Sequence, residues 1–75
     1  MRFKLSDHAQ ERVKERGIDV EDIYRVLESP DNVLEGKFGR KIYQKVIGRY
    51  LVRVIVDGNT FITAYRTSKV GKYRR

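Results

Sequence analysis

The stretch HAQERVKERGI, residues 8–18, sets His8, Arg12 and Arg16 four residues apart. In a helix that spacing stacks one imidazole and two guanidinium groups along one side. Histidine gains and loses its proton nearest neutral pH, and guanidinium groups grip phosphate oxygens. A second set lies at the far end, where TAYRTSKVGKYRR (residues 63–75) interleaves Tyr65, Arg66, Lys69, Lys72 and Tyr73 with hydroxyls and no acid. That mixture suits phosphate contacts and base stacking. Between the two sets, Arg53 interrupts the apolar run YLVRVIV, where an arginine needs either a groove or a carboxylate. The chemistry best supplied by these residue types is metal-independent RNA cleavage. It needs a base for the 2′-hydroxyl, an acid for the leaving 5′-oxygen and cations for the charge on the phosphorane. His8 or Tyr73 would handle protons, and Arg12, Arg53, Arg66 and Lys69 would hold the phosphate. Plainer readings stand beside these: His8 as a surface residue of a first helical turn, Arg53 as an ion-pair partner of Asp22 or Glu28, and Arg74 and Arg75 as a basic tail.

Charge gives the ligand class independently. Of the net +7, residues 1–35 carry six Lys/Arg against nine Asp/Glu, a net of −3. Residues 36–75 carry eleven against the single Asp57, a net of +10. A polycationic half, in which Lys41 and Lys45 join the cations already named, concentrates a polyanion by releasing its counterions. RNA or the ribosome is the expected partner, and a solvated basic face is the bland alternative. Other chemistries lack their parts. The sequence holds no P-loop and no GxSxG, its basic half has no carboxylate cluster, and a metal nuclease is disfavoured because Asp57 falls in a turn. With no cysteine and a single histidine, neither disulfides nor a structural zinc are expected, and no cofactor is implied. The apolar runs are too short for a spanning helix, and MRFKLSDH lacks the apolar core of a signal peptide, so a cytoplasmic protein that needs no membrane is expected.

The elements that must position these residues follow from pattern. A chain of 75 residues forms one domain, 1–75, with little core to spare. RFKL at 2–5 reads as a short first strand. Ser6 then N-caps a helix, DHAQERVKER, which Gly17 stops. Ala9 and Val13 supply its apolar line, with Arg12 and Arg16 beside it. Asp19 caps a second helix, VEDIYRVLES, with Asp22 as a capping-box-like partner and Val20, Ile23, Val26 and Leu27 on one face. From Asp31 the chain turns to β-branched and aromatic residues punctuated by glycine. Strands are predicted at 32–36, 39–47, 50–57 and 60–67, joined by turns at Gly36 to Phe38, Gly48-Arg49 and Gly58-Asn59.

The fold class is therefore α+β: two N-terminal helices on a four-stranded, or with residues 2–5 five-stranded, antiparallel meander. Strict alternation gathers Ile42, Gln44, Val46, Leu51, Arg53, Ile55, Ile62, Ala64 and Arg66 on one face. Tyr43, Ile47, Tyr50, Val52, Val54, Val56, Phe61, Thr63 and Tyr65 gather on the other. Both faces are apolar enough to be covered by the helices.

HAQERVKERGI, followed by VEDIYRVLESPDNV and a glycine-punctuated meander ending in FITAYRTSK, resembles the DUF4258 family of domains of unknown function over nearly the whole chain. That family is similar in layout to RelE and ParE toxins and to the wider barnase, EndoU, colicin and RelE nuclease group. The resemblance implies a metal-independent, toxin-type endoribonuclease. RelE-like enzymes bring an arginine from a middle strand, a basic residue from the last strand and a tyrosine after it. Arg53, Arg66 and Tyr73 match by order and approximate spacing, and His8 matches the histidine that the wider group takes from its first helical region. Arg12, Arg16, Lys41, Lys45, Tyr65, Lys69 and Lys72 would then contact RNA. An acidic antitoxin protein is the implied partner. Two further readings keep the fold without the catalysis: an RNA- or ribosome-binding module, and a ParE-like protein-binding relative, since fold alone does not decide activity.

Overall fold

A computed structural model describes residues 5–68. Helix α1 spans Asp7–Glu15 and α2 spans Val20–Glu28; strands β1 (Asn32–Glu35), β2 (Arg40–Ile47), β3 (Tyr50–Asp57) and β4 (Thr60–Thr67) follow. They form one antiparallel sheet in the order β1-β2-β3-β4. Residues 2–4 of the predicted first strand lie outside the described residues, while Leu5 is buried in the core.

Local chemistry sets the helix ends. The Ser6 hydroxyl accepts from the Ala9 N–H at 3.1 Å and so satisfies one orphan donor of α1. Gly17, at φ 76°, turns the chain out of the helix in a left-handed conformation that a Cβ would strain. The second cap differs from expectation. Asp19 makes no side-chain cap hydrogen bond, and Asp22 pairs with Arg25 at 3.3 Å, because a one-turn ion pair on the exposed face competes for the carboxylate. In the meander, Gly48 and Gly58 take φ 64° and 61° at the first central position of two-residue turns, which fits the II′ hairpin. These turns set the register that pairs Ile47 with Tyr50 and Asp57 with Thr60.

The helices cover the face that carries Tyr43, Ile47, Val52, Val54 and Val56. Val13, Ile18, Ile23, Val26 and Leu27 pack there, each 6% exposed or less. The choice follows from composition: three of the four β3 residues of this face are valines, Val52, Val54 and Val56 beside Tyr50, whereas the other face carries Gln44 and Arg53, whose polar atoms need partners. Strict alternation fails at one point in β4. The register passes from Ile55↔Thr63 to Val56↔Phe61, so Ile62 is an extra residue opposite β3. A bulge of one residue inverts every side chain beyond it. Ala64 and Arg66 therefore join the helix-covered face opposite Val54 and Val52, while Thr63 and Tyr65 stand opposite Ile55 and Arg53 on the other face, where Gln44 and Leu51 are also buried.

Candidate nucleic-acid interface

His8, Arg12 and Arg16 line a cleft of about 180 Å³ between α1 and β4, with Phe61, Ile62 and Thr63 on its strand side. Helical spacing places the three side chains in register along α1, and the bulge at Ile62 gives the facing strand its irregular edge. The members are not equivalent. Arg16 is tied down: Nη1 donates to the Ala64 carbonyl at 2.9 Å and to the Thr63 hydroxyl at 3.2 Å. Because β4 is the last strand of the sheet among the described residues, Arg16 thereby occupies part of its outer edge. His8 and Arg12 are exposed and make no side-chain hydrogen bond with other described residues. They are the members of the stripe whose polar atoms face the cleft uncommitted.

The bulge separates the two strand arginines. Arg66 lies on the helix-covered face, its guanidinium carbon 4.5 Å from the Tyr50 ring centroid. There it runs beside Gly17, where an added Cβ would come within 2.9 Å of Arg66 Nη2. Arg53 lies on the opposite face. Its Nη1 donates to the Tyr65 hydroxyl across β3 and β4, and its guanidinium carbon is 5.5 Å from the Tyr65 ring centroid. The ion pair with Asp22 or Glu28 is thus replaced by a cross-strand tyrosine, since both acids belong to the helix on the far side of the sheet. A sheet stands between Arg53 and both His8 and Arg66, so these three do not converge on one phosphate. Arg53 and Tyr65, by contrast, do come together. Tyr73, Lys69 and Lys72 lie outside the described residues.

The remaining expected cations also divide. Lys45 is committed to the fold, donating to the Ser29 carbonyl at 2.9 Å just past α2 and pairing with Asp31 at 3.6 Å. Lys41 is exposed, opposite Glu35 of β1. It adjoins the connection predicted from sequence as a turn at Gly36 to Phe38: Lys37, Arg40 and Lys41 lie within three residues of Phe38 at the β1–β2 connection, a short 3₁₀ turn over Lys37–Gly39. Phe38 is 90% exposed. The signal available in sequence was an aromatic set between two glycines and three cations, GKFGRK. Among the described residues no three His, Asp or Glu side chains are grouped as metal ligands would be.

Residues 5–66 match the family model described as Domain of unknown function (DUF4258). The chain belongs to this family. No curated protein and no solved structure matches it. The matched span of the DUF4258 domain runs from the start of α1 through Arg66 in β4, and so takes in the α1–β4 cleft, both strand arginines and the β1–β2 tip. Lys69, Lys72 and Tyr73 fall beyond it. No helix among the described residues of the DUF4258 domain is long and apolar enough to cross a membrane.

Proposed function

We propose that this domain binds RNA, free or on the ribosome, as a small basic module with a RelE/ParE-like arrangement of helices and sheet. The observation that carries this reading is the charge split: eleven Lys/Arg against one Asp in residues 36–75. The order of elements, two helices and then four antiparallel strands in sequence, is the layout that the toxin resemblance implies. Titrating a fluorescein-labelled RNA strand with the protein across a salt series tests the proposal. Log affinity should fall linearly with log salt, by about 0.7 per phosphate neutralised on a single strand. No affinity at low salt would sink it, and binding of an acidic protein in place of RNA would favour a ParE-like, antitoxin-binding relative.

A second reading, endoribonuclease activity, is favoured by His8 and Arg12 sharing a cleft in which neither is spent on the fold. His8 would move the proton and Arg12 hold the phosphate. His8→Ala should then lower single-turnover cleavage in EDTA by roughly a hundredfold, with affinity within a few-fold. A wild-type protein that binds RNA and cuts none is a binding module.

A further inference from the structure

The tip of the β1–β2 connection is built against the interests of the fold. Phe38 is 90% exposed, so its ring gains almost nothing from burial. Its backbone sits at φ 61°, ψ 32°, a left-handed conformation that a bulky L-residue seldom adopts. Gly39, the next residue, also has positive φ, at 77°. The loop is closed at its base by the Gly36 N–H donating to the Arg40 carbonyl at 2.7 Å, so the ring is presented by a defined turn. Strain of this kind, with no packing in return, marks positions that contact ligands.

What surrounds the ring names the ligand. Lys37, Arg40 and Lys41 are all exposed. Asp57 and Glu35 stand opposite Arg40 and Lys41 in the sheet. Yet neither acid closes an ion pair with them among the described residues. Lys37 precedes the ring, and Arg40 and Lys41 follow it on opposite faces of β2. An open aromatic face with uncommitted cations on either side of it in the chain suits stacking of an unpaired base with its flanking phosphates held to each side. A lipid surface is served less well, because one ring is a weak anchor. The half-exposed Val33 and Leu34 nearby cannot extend it into a patch, since they alternate onto opposite faces of β1.

We infer that Phe38, with Lys37, Arg40 and Lys41, is a stacking site for an unpaired base of single-stranded RNA. The inference rests on the RNA-binding reading and gives it a ligand form: single strands or loops are taken in preference to duplex, whose bases are already stacked.

Fluorescence anisotropy with a mixed-sequence RNA strand and with its duplex tests this on the full chain. Phe38→Ala should weaken single-strand binding by at least about fivefold while leaving duplex affinity and the salt slope unchanged. Phe38→Trp should restore single-strand affinity. Phe38→Gly should lose it as Phe38→Ala does, while raising the melting temperature, because glycine carries no penalty at positive φ. That opposition between stability and binding is what a structural role for the ring would not produce. Wild-type binding that Phe38→Ala leaves intact overturns the stacking site and spares the RNA-binding reading. A wild-type protein with no RNA affinity overturns both. Phe38-dependent binding to phosphatidylserine vesicles, with RNA binding indifferent to Phe38, overturns the site in favour of a membrane contact.

Discussion

The side of the molecule where α1 meets β4 and the tip between β1 and β2 are both rich in cations, but they use them differently. At α1–β4 two of the arginines, Arg16 and Arg66, serve the fold, while Arg12 stays uncommitted. Arg16 bonds to a carbonyl of an edge strand, and Arg66 lies along Gly17 with its guanidinium over Tyr50. At the β1–β2 tip, the side chains of Lys37, Arg40 and Lys41 make no hydrogen bond or ion pair within the described residues, and they lie within three residues of a ring that is left in solvent. A domain of this size has few residues for its core, so arginine stems and heads near the helices are drawn into its architecture. Cations at the distal turn are released from that duty. Positive charge that is legible in composition therefore splits into a structural part and a part available to a polyanion, and only geometry separates them.

The largest effect on the structural side is expected at Gly17. Gly17→Ala places a Cβ at φ 76° and against the Arg66 guanidinium. It should destabilise the domain by about 1–2 kcal/mol, most of it from backbone strain since the guanidinium can shift. Thermal unfolding followed by circular dichroism would show a melting temperature lower by about 4–8 °C per kcal/mol. An unchanged midpoint would mean that the α1–α2 joint relaxes freely.

A smaller loss follows at Arg16. Arg16→Ala removes two hydrogen bonds at an exposed strand edge, and it should cost about 1 kcal/mol in urea unfolding while leaving RNA affinity within a few-fold. A large fall in affinity without a fall in stability would move Arg16 from the structural group to the binding group.

Most of the frame was legible in the sequence because it rests on short-range rules. Ser6 and Gly17 bound the first helix, Pro30 follows the second, and Gly48 and Gly58 fix two hairpins, of which the first pairs as its two-residue turn dictates and the second does so only next to its turn. What failed was long-range or conformational. A bulge at Ile62 has no mark in a run as regular as TFITAYRT, and by inverting β4 it parts Arg66 from Arg53 and brings Tyr65 to Arg53. That single residue decides which face of the sheet each strand arginine occupies. The cleft partners His8, Arg12 and Arg16 were legible because a helix repeats every 3.6 residues whatever it packs against. Phe38 was passed over because turns are read by their glycines, and only the structure shows an aromatic residue taking the positive φ beside them.

The separation of structural from available cations is tested most directly by comparing salt slopes. A triple variant, Lys37→Gln, Arg40→Gln and Lys41→Gln, and a single variant, Lys45→Gln, are each titrated against a labelled single-stranded RNA from low to high salt, after unfolding curves establish that both are folded. If the β1–β2 tip holds the phosphates, the triple variant loses about two units of the slope of log affinity against log salt. Lys45→Gln, whose ammonium serves Ser29 and Asp31, keeps the wild-type slope. An unchanged slope in the triple variant, or an equal loss from Lys45→Gln, would contradict the account.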